Sequence, residues 1–132
     1  MVGLLIISHN QIGGALLETA THMLDMCPIM VEVLPVMPDS DPDTLLGEAR
    51  RLVTKLDQGQ GVLVLTDMYG STPSNFATQL ADGERVMVIT GINLPMLIRV
   101  VNYPNMSLPD LARKAETGGL EGVFIFTPKS EL

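Results

Sequence analysis

An α/β fold, doubly wound as a three-layer sandwich around a mainly parallel sheet, is predicted by two features of the amino-acid sequence. Four short runs rich in Val, Ile and Leu lack the polar alternation of a half-exposed strand and read as strands buried on both faces: Val2 to Ser8, Ile29 to Val36, Gly61 to Asp67 and Arg85 to Thr90. Between them lie segments whose apolar residues recur at helical spacing. Strands alternating with helices imply right-handed crossovers and helices on both sheet faces.

The first helix is carried by Ile12, Leu16, Ala20 and Met23, and the second by Leu45, Leu46, Ala49, Leu52, Val53 and Leu56. Asp41 followed by Pro42 gives that second helix a cap and a proline in its first turn. Thr72 and Pro73 open a third helix running to about Asp82, and Pro95 begins a fourth through Leu97, Ile98 and Val101. Ser107 with Asp110 resembles a capping box for a fifth, expected to end at Gly118 and Gly119, where a left-handed cap costs little. Gly122 to Thr127 then reads as a last strand. The expected sheet order is 2-1-3-4 plus this C-terminal edge strand.

With 132 residues, 46% of them hydrophobic, residues 1–132 are expected to form one domain with a substantial core. Eight Lys and Arg against fifteen Asp and Glu give a formal charge of -7, which repels phosphodiester backbones and argues against a nucleic-acid partner. No segment approaches the ~20 apolar residues of a membrane helix, and the start of the chain has no secretory signal. The single cysteine, Cys27, excludes an internal disulfide and fits a reducing cytoplasm. A cytoplasmic location is the expectation.

The stretch LLIISHNQIGG, residues 4–14, places an imidazole, His9, at the end of a hydrophobic strand. In the order 2-1-3-4 the first and third strands are neighbours, and their helices leave toward opposite faces, opening a crevice at the carboxyl ends. His9 ends the first of these strands and Asp67 the third, so both face that crevice. A carboxylate accepting a hydrogen bond from one imidazole nitrogen fixes the tautomer and leaves the other nitrogen nucleophilic. His9 and Asp67 are therefore candidate catalytic residues.

Two loops entering helices, Asn10 to Gly14 and Gly70 to Thr72, bring unpaired backbone N–H groups to the same place and suit an oxyanion such as phosphate. Hydroxyls of Ser71, Thr72 and Ser74 add donors without a full charge. Neither loop matches a P-loop or a GxGxxG fingerprint, so a nucleotide site has little support. Singly, a histidine at a strand end and an aspartate before a helix have ordinary structural readings; their meeting at one switch point favours chemistry. His22 reads as an exposed helix residue, and the nine methionines as packing. Asp39, Asp41 and Asp43 read as capping groups, because Pro42 and the missing glycine spoil a calcium loop. No metal or cofactor is expected.

The segments IISHNQIGGALLETA, VLVLTDMYGSTPSNFA, GINLPML and ETGGLEGV span nearly the whole chain. Together they resemble the IIA domain of the mannose family of the bacterial phosphoenolpyruvate-dependent sugar phosphotransferase system (PTS). The resemblance implies that His9 accepts a phosphoryl group from phosphorylated HPr and passes it to a IIB protein, with Asp67 as its orienting partner. It also implies phosphate-binding roles for Asn10 and for the loop residues Gly70, Ser71 and Thr72, while Asn75, Gly91, Asn93 and Pro95 match further family positions. Where the family often has two successive glycines, this chain has Gly70 and Ser71. Members are typically cytoplasmic homodimers whose last strand is paired with the sheet, in some cases by exchange between subunits. A separate IIB acceptor is expected, and contact with a membrane only indirectly, through a permease complex.

Three other readings are weighed. One is the phosphotransferase subunit that feeds dihydroxyacetone kinase, against which the DMYGSTPSN stretch argues. A receiver domain phosphorylated on Asp67 would need acidic residues after the first strand to hold magnesium, and Ser8 with His9 do not supply them. A non-catalytic module switched by phosphorylation is the third.

Overall fold

The computed structural model describes residues 1–129. Its elements run β1 (Gly3–His9), α1 (Ile12–Leu24), β2 (Val31–Val36), α2 (Pro42–Leu56), β3 (Val62–Thr66), α3 (Thr72–Leu80), β4 (Val86–Ile89), α4 (Leu94–Val101) and α5 (Leu108–Glu121). The four strands form one sheet in the order β2-β1-β3-β4, with every neighbouring pair parallel. This is the doubly wound α/β arrangement that the buried apolar runs imply.

β1 lies inside the sheet, with Ile7 opposite Leu34 on one side and Thr66 on the other. Side chains alternate across it, so Leu4 and Ile6 join a core with α1, α4 and α5, while Leu5 and Ile7 join a second core with α2 and α3. Helix starts follow the caps read from sequence at Asp41 and Ser107, and α4 gains a cap, Asn93, that was not read there. Asp41 accepts the Thr44 N–H at 3.0 Å, Asn93 that of Met96 at 2.9 Å and Ser107 that of Asp110 at 3.4 Å.

Two expectations at the C-terminus are corrected. α5 continues through Gly118 and Gly119 to Glu121, because these glycines serve close packing rather than termination. A Cβ on Gly118 would lie 2.7 Å from Arg99 Cβ, and one on Gly119 2.8 Å from Met96 Cε, so their absence is what lets α4 approach. The helix then ends at Gly122 with φ -76°, without a left-handed cap. Residues 123–129 form no strand: the edge strand expected over 122–127 is unpaired, and the outer edge of β4 is left open.

The far end of the sheet is held by charge. Asp57, just after α2, pairs with Arg85 before β4 and also accepts the N–H groups of Gly59 and Gly61. The Arg85 guanidinium, followed by these amides, holds the Asp57 carboxyl down at about 2 against the opposing pull of burial. Since this value lies below the ordinary 3.8, the contribution to stability is complete above pH 3.8 and is lost as pH falls toward about 2. Asp57→Asn should flatten that part of the acid limb in urea unfolding measured across pH. A Cβ on Gly13 would lie 2.7 Å from both Ile6 Cγ2 and Ser8 Oγ. Gly13→Ala should therefore cost about 1–3 kcal/mol, read as a lowered urea midpoint.

Candidate functional site

His9 ends β1 on the side of α2 and α3, where it borders a cavity of about 300 Å³ with Asn10, Val36, Met37, Thr72 and Phe76. Asp67 follows β3 directly. Its Oδ2 accepts two hydrogen bonds from His9, one from the backbone N–H and one from Nδ1, each at 2.8 Å. The other oxygen, Oδ1, accepts the Met68 N–H at 2.9 Å. An ionised carboxylate only accepts, so Nδ1 carries the proton and Nε2 of the neutral ring keeps its lone pair. The His9 side chain is 42% exposed and that of Asp67 14%, so the imidazole is partly open to solvent while its partner is sheltered.

Burial pushes the Asp67 carboxyl up, but the N–H donors of His9 and Met68 outweigh it and hold the group below the ordinary carboxylate range. It therefore stays charged and keeps accepting. The geometry also leaves neither Asp67 oxygen free of a donor, which disfavours the aspartyl-phosphate alternative.

The residues expected around the phosphate fall into two groups. Asn10 and Thr72 border the cavity with His9. Gly70 and Ser71 lie in the adjoining loop but not on the cavity wall. Asn10 adopts φ 46°, and its backbone N–H donates to Val36 O at 3.0 Å, so only its side chain is available to an anion. Ser71 turns both its N–H and its hydroxyl onto Met68 O, at 3.1 and 2.5 Å. As the residue preceding α3 it makes no side-chain cap bond, which leaves the first-turn amides of Thr72 and Ser74 without an acceptor among the described residues; Pro73 has no N–H. Gly70, at φ 85°, makes the sharp turn that brings the chain to this helix start.

Two contributions were not foreseen from sequence. Ser8 is fully buried and accepts the Gly13 N–H at 2.8 Å, capping α1 from inside the strand because Gln11 makes no cap bond. A lone hydroxyl in an apolar strand was the available signal. Met37, Ser40 and Pro42 wall the cavity from the β2–α2 connection. That loop had to border His9 once β2 was placed beside β1. Among the described residues, no three His, Cys, Asp or Glu side chains converge as a metal site would require.

A family model described as the PTS system fructose IIA component matches residues 3–116. The chain belongs to this family. It is 31% identical over 125 residues to the mannose-specific EIIAB component of the PTS in Escherichia coli K12, covering 92% of this chain and 38% of the relative. The chain thus spans well under half the length of that protein. The fructose-specific EIIA component of Bacillus subtilis is 26% identical over 113 residues, covering 84% of this chain and 77% of the relative. A solved mannose/sorbose-specific IIA subunit from Enterococcus faecalis superposes with a TM-score of 0.84 at 19% identity, over 99% of this chain and 98% of that one. The fold of this PTS IIA protein is therefore that of the solved IIA subunit. No helix among the described residues is long and apolar enough to cross a membrane.

Thr66 and Ser74, on either side of the loop after β3, bury hydroxyls that have no partner among the described residues. An orphaned hydroxyl costs about 1–3 kcal/mol relative to a satisfied one. Thr66→Val should therefore raise the thermal midpoint, and an unchanged or lower midpoint would show the hydroxyl to be hydrogen-bonded in solution.

Proposed function

We propose that this IIA protein is a phosphocarrier of the sugar PTS, taking a phosphoryl group onto His9 Nε2 from phosphorylated HPr and yielding it to a IIB protein. The observation that carries this reading is the pair of 2.8 Å hydrogen bonds from His9 to one oxygen of Asp67, which engage Nδ1 as the donor and leave Nε2 free. Family membership supports the same role. A cytoplasmic location belongs to the same proposal.

Transfer onto His9 is an in-line displacement. The Nε2 lone pair forms a new N–P bond as the N–P bond to the donor's imidazole breaks, and that electron pair returns to the donor's ring nitrogen. Positive charge growing on the His9 ring is met by the Asp67 carboxylate at Nδ1. Charge on the phosphoryl oxygens is met by the amides of Thr72 and Ser74 at the start of α3 and by the Thr72 hydroxyl, with the Asn10 side chain at the cavity rim. These neutral donors stabilise the anion without a cation that would hold it too firmly to pass on. Gly70 shapes the loop, and Ser71 braces it through Met68 O. The return step to the IIB protein runs through the same geometry in reverse.

The partner state belongs to the same reading. Val123, Phe124, Ile125 and Phe126 are 75% to 92% exposed, although burial of such side chains is worth about 1.5–3 kcal/mol each. Beside them the outer edge of β4 is unpaired. A homodimer in which this segment of each copy pairs with β4 of the other removes both liabilities.

Incubation with phosphoenolpyruvate, enzyme I and HPr should place one base-stable, acid-labile phosphoryl group on His9, mapped by mass spectrometry. His9→Ala should take no label, and a fully labelled variant would refute the assignment. Asp67→Asn should keep the fold but slow transfer by about 10²–10⁴-fold through loss of tautomer control.

A further inference from the structure

The loop that follows Asp67 faces two ways. Its stem holds His9, through Asp67 Oδ2, and leads to the open amides of α3. Its outer residue, Tyr69, instead lines a groove of about 640 Å³ together with Thr78, Val88, Gly91, Leu120 and Val123. That groove runs beside the unpaired edge of β4, where the apolar segment 123–126 of a second copy would lie. Tyr69 is 77% exposed, so within one chain nothing covers the outer side of the loop.

The ties on the inner side are few. Met68 O accepts both donors of Ser71, and Asp67 O accepts the Gly91 N–H at 2.7 Å. Gly91 lines the groove as well, at φ 82°. The two residues that frame the groove at this end are therefore linked to the aspartate that orients His9, Tyr69 through Met68 along the chain and Gly91 by its hydrogen bond. Between Tyr69 and Thr72 lie only Gly70, with a left-handed backbone and no side chain to pack, and Ser71. A loop so built has no side chain packed on its outer side within one chain, so its placement there rests on few contacts.

We infer that Tyr69 is a positioning residue and that the site is incomplete in a single chain: the last segment of the partner copy packs on the Tyr69 ring and holds the 67–72 loop in the geometry that receives the phosphoryl group. Phosphoryl acceptance is thereby coupled to dimerisation. This rests on the phosphocarrier and homodimer readings given above. The two copies are linked through loop placement alone, since transfer tolerates little displacement of the groups that receive charge.

The experiment measures the initial rate of phosphoryl transfer from phosphorylated HPr per chain, over a dilution series spanning the monomer–dimer transition located by analytical ultracentrifugation. For the wild type, the rate per chain should fall by about tenfold to a hundredfold as the dimer dissociates, through kcat rather than KM. Ile125→Asp, at a position already 92% exposed in the single chain, should leave a folded monomer with the low rate at every concentration. Tyr69→Ala should remain dimeric with the low rate, and Tyr69→Phe should restore the wild-type rate. A monomeric Ile125→Asp that accepts phosphate as fast as the wild-type dimer would overturn the coupling while leaving the carrier role intact. So would a full-rate Tyr69→Ala. A wild type that stays monomeric, or an Ile125→Asp that stays dimeric, would overturn the exchanged-segment dimer and this inference with it, and a wild type unlabelled at His9 would overturn the carrier reading itself.

Discussion

One carboxylate oxygen, Oδ2 of Asp67, accepts both the backbone N–H and the ring N–H of His9, and the chemistry proposed for this protein depends on that doubled contact. A single bond to the ring would leave the imidazole free to swing about Cα–Cβ. The second bond, to the main chain of the same residue, fixes where the ring begins as well as where it points. The contact also joins the tips of β1 and β3, whose parallel pairing ends just before it at Ile7 and Thr66. Fold and site share this one bond pair: the sheet brings the two tips together, and the carboxylate turns that adjacency into a defined tautomer.

The surroundings of His9 are polar without being cationic. The cavity walls consist of neutral polar groups and apolar side chains, with His9 the one titratable residue among them. In the proposed transfer an anion there is received by the first-turn amides of α3, whose helix dipole and open N–H groups act over a short range. This suits a group that must be accepted and then released. Had a lysine or arginine stood in the cavity, the phosphorylated state would gain a charge-assisted bond and onward transfer would slow. The ion pair of Asp57 with Arg85 is instead at the opposite end of the sheet, where it joins the end of α2 to the start of β4.

Much of the architecture was legible because the signals are local. Leu4 to Ile7 and Val62 to Leu65 are fully buried runs with no polar alternation, which fits a strand covered on both faces. Asp41 and Ser107 cap helices through side chains three residues from the amides they serve. The C-terminus misled for an equally physical reason. Gly118 and Gly119 carry the signature of a helix stop, yet their lack of a Cβ serves the approach of Arg99 and Met96 from α4, a contact across nearly twenty residues. The strand propensity of residues 122–127 is real, but a strand exists only when it pairs with an edge, and within one chain this segment pairs with none.

The amino-acid sequence by itself determined the four parallel strands, the five helices, their order and the pairing of His9 with Asp67, because buried patterning and a switch-point topology bring those two positions together with no further information. Only the tertiary structure decided which donors remain open. The amide of Asn10 is spent on Val36, both donors of Ser71 on Met68, and the cap of α1 falls to Ser8 from within the strand. A hydrogen bond is settled by a few tenths of an ångström and by the orientation of each donor, and neither is encoded in the spacing of residues along the chain.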